Sequence, residues 1–213
     1  MEVEGERSLT IQVPGGPTLE GRLASPTGAR AGVVACHPHP LYGGDMDNPV
    51  VIRVVEVARE AGLSTLRFNF RGVGASTGVH GDGEGEQTDL QAALAALKTR
   101  LPQGQAFGIA GYSFGAWIAA SVAASTAGVA GLALIAPPLA MRDVCPLDTW
   151  RGDLLLVAGT RDSYCPVERL EALAARVPGA RAITLEGADH FFFGKLFPLG
   201  EAIRDWARRW TPR

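Results

Sequence analysis

The chain is short of several things, and each shortage closes off a class of function. Its 213 residues include three cysteines, Cys36, Cys145 and Cys165, an odd number that cannot all pair. None stands in a CxxC or in a Cys/His cluster at zinc-ligand spacing, so a disulfide framework and a structural zinc site are both unexpected. The three read as reduced and mainly structural. No run of like charge appears among the 20 basic and 22 acidic residues, and the net charge is only -2. A phosphate-tracking surface needs such a run, so neither nucleic acid nor an anionic membrane is expected as a partner. No apolar stretch approaches the ~20 residues that span a bilayer. The amino terminus, Met1 to Arg7, lacks a basic segment followed by an apolar one, so no secretory signal is read there and a cytoplasmic location is expected. Repeats and low-complexity tracts are also missing.

What is present is 46% hydrophobic residues with nearly balanced charge. That composition excludes intrinsic disorder and suits one domain over residues 1–213. A domain of this size buries roughly 70% of its unfolded surface and needs neither disulfides nor metal to hold a core.

Short apolar runs alternate with helical stretches. Leu9 to Val13 and Leu19 to Ala24, split by Pro14-Gly15-Gly16-Pro17, predict a hairpin. Strands are then expected at Val33 to Cys36, Leu66 to Phe70, Phe107 to Ala110, Val129 to Ala136, Leu154 to Ala158 and Arg181 to Leu185. Helices are expected from Pro49 to Gly62, around Leu90 to Arg100, from Ser113 to about Ser125, from Val167 to Val177 and from Leu199 to Trp210. Strands apolar throughout, joined by helices, imply a mostly parallel sheet covered on both faces. The expected fold is a three-layer α/β/α sandwich of about eight strands.

The sharpest chemical signal is Gly111-Tyr112-Ser113-Phe114-Gly115, a G-x-S-x-G where a strand gives way to a helix. A serine lifted out of a sheet end on a tight turn needs small neighbours, and the motif supplies them. A hydroxyl is a weak nucleophile that needs a base, and the base needs an orienting carboxylate. In this class of fold the chain order is Ser, acid, His. Of the four histidines, His37, His39, His80 and His190, only His190 follows Ser113. Eight acids lie between the two. Catalytic groups of open parallel sheets gather beyond the carboxyl ends of the strands, where Asp162 stands. Asp153 starts the same strand, about 17 Å away. Glu186 and Asp189 are too close in sequence to His190 to reach its ring without doubling back.

An acyl-transfer site also needs N–H donors for the oxyanion. One is expected from Phe114, directly after the serine. The other is expected from the loop His37-Pro38-His39-Pro40-Leu41-Tyr42-Gly43-Gly44, where the prolines have no N–H and His39, then Leu41, remain. The imidazoles of His37 and His39 are expected to bond to backbone and shape this loop, and no third ligand makes them a metal site. Phe191, Phe192 and Phe193 are candidates for an acyl pocket, with a core role for at least one as the alternative; Leu41, Tyr42, Met141 and Phe114 are further lining candidates. Cys165 reads as packing ahead of Pro166. Gly72 to Gly78 misses G-x-G-x-x-G spacing, so no nucleotide is expected.

These stretches resemble the α/β-hydrolase superfamily and, within it, small bacterial hydrolases similar to dienelactone hydrolase. The likeness is carried by Cys36 to Asn48, Leu66 to Ser76, Gly111 to Gly115, Gly159-Thr160-Arg161-Asp162 and Gly187 to Phe192, in order along most of the chain. It implies a carboxylic-ester hydrolase with Ser113, Asp162 and His190 as triad, acting on a small-molecule ester without cofactor or metal. Dienelactone hydrolase itself uses a cysteine nucleophile, so dienelactone is not the expected substrate. Many relatives insert a cap where this chain has only Pro137 to Asp153, which implies an open cleft and short acyl groups. Thioester hydrolysis, acyl transfer and a non-catalytic binding protein on the same scaffold are the alternatives.

Overall fold

The computed structural model describes residues 3, 5–143 and 147–211, so Cys145 lies outside the described residues. Among them β1 (Arg7–Gln12) and β2 (Thr18–Ala24) form the expected hairpin, in register from Arg7 opposite Leu23 to Gln12 opposite Thr18. The chain then alternates: β3 (Gly32–Cys36), α1 (Pro49–Glu60), β4 (Ser64–Phe68), α2 (Glu84–Lys98), β5 (Phe107–Tyr112), α3 (Phe114–Ala123) and β6 (Val129–Ile135). It closes with β7 (Asp153–Gly159), α4 (Val167–Arg176), β8 (Arg181–Leu185) and α5 (Leu196–Trp210). The strands make one sheet in the order β1-β2-β4-β3-β5-β6-β7-β8, antiparallel at β1/β2 and β2/β4 and parallel from there on. Helices α1 and α5 pack together on one face, and α2 against α3 on the other.

Local chemistry explains the boundaries. Asn48 caps α1 by accepting the Val50 N–H at 2.9 Å, and Pro49 fills the first helical position, where its missing N–H costs nothing. Strand β4 ends at Phe68, two residues short of expectation, because the Phe70 N–H leaves the ladder and donates to His37 Nε2 at 3.0 Å. Helix α2 begins at Glu84, ahead of its apolar stripe. Glu86 reaches back to the Gly83 N–H at 2.8 Å in a capping box and also takes the Gly81 N–H at 2.9 Å. Burial works to raise the pKa of this carboxyl, yet those bonds and nearby His80 hold it below the usual range. Helix α5 starts at Leu196 and carries Pro198 in its first turn, where proline is tolerated.

The central strands are buried end to end, from Val33 and Val34 in β3 to Leu132 through Ile135 in β6 and Leu154 through Ala158 in β7. That accounts for their unbroken apolar runs. Because β3 lies between β4 and β5, the connections leaving β3 and β5 diverge, and a crevice opens at the carboxyl ends of these strands.

Candidate active site

Ser113 stands alone between β5 and α3 and turns the chain by itself, at φ 55° and ψ -117°. Non-glycine residues rarely adopt this conformation, which costs on the order of 1–3 kcal/mol and persists only where neighbours impose it. Here they do. The Ser113 N–H donates to Ile135 O in β6 at 2.8 Å. A Cβ on Gly111 would stand 2.2 Å from Gly115 O, and one on Gly115 would stand 2.5 Å from His37 O. Both outer glycines of the motif are therefore demanded by close backbone approach.

His190 enters from the loop after β8. Its Nε2 lies 3.0 Å from Ser113 Oγ and its Nδ1 lies 2.8 Å from Asp162 Oδ2. Asp162 is buried at the end of β7, and its other oxygen accepts the N–H groups of Tyr164 at 2.8 Å and Cys165 at 2.9 Å. An anchored acceptor at Nδ1 puts the ring proton there and turns the Nε2 lone pair toward the serine. The two loops are tied together: Arg161 N–H donates to Ala188 O at 2.9 Å and Gly187 N–H to Thr160 Oγ1 at 2.8 Å. The Tyr112 hydroxyl donates to His190 O at 2.8 Å, and burial, with Asp162 and Asp189 nearby, pushes its pKa up. Tyr164 and Phe191 close around the imidazole, with ring centroids at 4.8 and 5.7 Å. The rejected acids have other occupations. Asp153 begins β7 and pairs with Arg181 and Arg209, while Asp189 caps the Phe191 N–H.

Of the N–H groups expected to face an oxyanion, those of Phe114 and His39 donate to no group among the described residues. Phe114 is the first residue of α3, so its N–H is one of the helix's unpaired donors. Leu41 is a correction: its N–H donates to His39 Nδ1 at 3.2 Å, because the His39 side chain caps the 3₁₀ turn Pro40–Tyr42. That leaves His39 from this loop. The His39 ring lies 4.8 Å from the Phe114 ring, so the side chains of the two residues with free donors hold each other in place.

His37 shapes the loop from below, as expected. Its Nδ1 lies 2.6 Å from Pro38 O and its Nε2 accepts the Phe70 N–H, so both nitrogens are used. Burial pushes its pKa down to about 4, which keeps the ring neutral. Cys165 is buried behind Asp162, and burial followed by that carboxylate pushes its thiol pKa up, as befits a packing residue.

A cleft of about 660 Å³ opens above Ser113 and His190. Of the candidate lining residues, Leu41, Tyr42, Phe114, Met141 and Phe191 lie on its wall. Phe192 does not, which is the second correction. At φ 55° it turns inward, is fully buried and meets Tyr112 edge-on at 6.1 Å. The lining also contains Asp82, Arg142 and Tyr164, which sequence reasoning missed. Tyr164 had a readable signal, two residues after an Asp that begins a turn. Arg142 and Asp82 lie in loops without periodicity and had none.

Residues 30–196 match the model of a family described as an alpha/beta hydrolase domain. An alpha-beta serine hydrolase homologue from Coxiella burnetii superposes with a TM-score of 0.86 at 36% identity, covering 96% of this chain and 99% of that one. A lidless serine hydrolase from Xanthomonas campestris gives a TM-score of 0.86 at 29% identity, covering 100% and 98%. An uncharacterized protein of Rickettsia prowazekii is 33% identical over 203 residues, 88% of this chain and 83% of its own length. The match across the sheet, the strand order and the crevice at its carboxyl edge agree, and the chain belongs to the α/β-hydrolase family.

Proposed function

We propose that this hydrolase is a serine esterase that cleaves short-acyl carboxylic esters through an acyl-enzyme. The observation that carries the reading is the continuous line from Ser113 Oγ through the His190 ring to Asp162 Oδ2, at 3.0 and 2.8 Å, beside two unpaired N–H groups.

His190 Nε2 takes the Ser113 proton as Oγ bonds to the ester carbonyl carbon. The carbonyl oxygen gains the displaced electron pair and is held by the N–H groups of Phe114 and His39, each such donor being worth on the order of 3 kcal/mol. The tetrahedral intermediate collapses, the ester C–O bond breaks, and the imidazolium passes its proton to the departing alkoxide. Water then gives a proton to His190, attacks the acyl carbon and releases the carboxylic acid, which restores Ser113. Asp162 holds the ring in the tautomer that leaves Nε2 free and stabilises the imidazolium. The 17 residues 136–152 that join β6 to β7 contain no helix among those described, so the acyl group lies in an open cleft, which favours short chains.

The test is a fluorophosphonate probe read by intact mass, alongside acetyl-ester turnover, on the wild type and on Ser113→Ala. One adduct on the wild type alone, with turnover, supports the reading. A folded wild type that takes no label and cleaves no ester refutes it.

A further inference from the structure

Two lining residues of the cleft carry ionisable side chains of opposite sign, the carboxyl of Asp82 and the guanidinium of Arg142. They are not paired with each other. Asp82 lies 3.4 Å from His80 Nε2, with its side chain 92% exposed. Arg142 has no carboxylate partner among the described residues. Its guanidinium carbon instead sits 4.4 Å from the centroid of the Trp117 ring. An arginine laid on an aromatic face loses little of its hydrogen-bonding capacity, because its N–H donors point outward in the guanidinium plane. The indole thus holds the guanidinium at one wall of the cleft, and no described residue accepts from its N–H donors.

The placement is close to the chemistry. Trp117 is one turn of α3 beyond the nucleophile, with its N–H donating to Ser113 O at 3.2 Å, and a turn rises about 5.4 Å. The loop that carries Arg142 is tied down as well. The N–H groups of Met141 and Arg142 both donate to Pro138 O at 3.0 Å, and the Ala140 N–H donates to Tyr164 O at 2.9 Å. The positive charge is felt at the oxyanion side, where it adds to burial and His80 in lowering the pKa of His39.

Resting on the esterase reading, we propose that Arg142 is an anion subsite of this cleft and that the esters cleaved carry a carboxylate a few bonds from the scissile carbonyl. A carboxylate matches the two parallel N–H groups of one guanidinium. Asp82 on the same cleft disfavours a doubly charged group such as a phosphate monoester. The rest of the substrate meets the exposed apolar side chains of Leu41, Tyr42, Met141 and Phe191.

The test compares kcat/KM for two pairs of esters on the wild type, Arg142→Gln and Arg142→Lys. Monophenyl glutarate against phenyl pentanoate places the charge on the acyl side; 4-acetoxybenzoate against phenyl acetate places it on the alcohol side. At least one anionic-to-neutral ratio is expected to fall about tenfold in Arg142→Gln, and less in Arg142→Lys, which keeps the charge and loses the fork. Added salt should lower the wild-type ratio in the same direction. If both ratios are the same in wild type and Arg142→Gln, the anion subsite is refuted while phenyl acetate turnover leaves the esterase reading standing. If neither neutral ester is cleaved and Ser113 takes no fluorophosphonate, the esterase reading fails and takes the subsite with it.

Discussion

Acidification should destabilise this protein through one imidazole before most of its carboxylates titrate. His37 is fully buried, its Nε2 lone pair accepts the Phe70 N–H, and burial holds its pKa down at about 4 against the ordinary 6.5 of an imidazole. Between those two values the unfolded chain binds a proton that the folded one refuses, so stability rises with pH across this window and is lost as pH falls through it. That difference corresponds to about 3 kcal/mol in full, of which about 2 kcal/mol disappears between pH 7 and pH 5. Near pH 5.2 the slope from this residue alone is about 1.2 kcal/mol per pH unit. The assay is urea unfolding followed by tryptophan fluorescence across this range for the wild type and His37→Gln, which keeps a polar side chain but does not titrate. The variant should be destabilised at pH 7 by about 1–3 kcal/mol, through poorer bonds to Pro38 O and Phe70 N–H, and that deficit should shrink by about 2 kcal/mol at pH 5. His39, whose pKa is also lowered, contributes equally to both proteins and cancels in the difference. A deficit that stays constant from pH 7 to pH 5 would refute the reasoning. Should the variant not fold, the nitrogen shifts of the His37 ring by NMR decide directly, since a ring protonated at pH 5.5 in the folded protein contradicts the buried neutral form.

Three further outcomes follow from the site. Asp162→Asn should keep the fold but lower kcat by about 10⁴, because an amide can present N–H to Nδ1 and stabilise the wrong tautomer; steady-state kinetics check it, and near-normal kcat would remove Asp162 from its role. Gly115→Ala should cost about 1–3 kcal/mol in unfolding experiments and depress ester turnover as well, since the new methyl group must displace His37 O. Across p-nitrophenyl esters from acetyl to dodecanoyl, kcat/KM should fall with chain length, and a steady rise would contradict an open, short-acyl cleft.

The parts of the molecule legible in the sequence are those where one physical demand dominates. Unbroken apolar runs located the buried strands, and the small residues around Ser113 located the turn that presents it. Asp162 followed from its place at the end of β7. What escaped was decided by irregular backbone. Three consecutive phenylalanines look alike in sequence, and only the left-handed turn at Phe192 sends that ring into the core while Phe191 faces the cleft. The Leu41 N–H is consumed by a side chain two residues earlier, a competition that position alone does not reveal. Strand β4 runs two residues earlier than its apolar run suggests, because Phe70 is as apolar as a strand residue while its N–H serves His37. Arg142 and Asp82 come together only through tertiary packing.

The strained turn at Ser113 also says when this site comes into being. Its backbone is held by Ile135 O from β6 and by the tight approach of Gly115 to the end of β3, while His190 and Asp162 arrive from β8 and β7. Groups drawn from five neighbouring strands, β3, β5, β6, β7 and β8, therefore hold the Ser113 backbone in an unfavourable conformation and supply its hydroxyl with partners. On the proposed esterase reading, the reactive centre is a late product of folding: a nascent or partly unfolded chain would carry an ordinary serine, and activity would appear only once the sheet has closed.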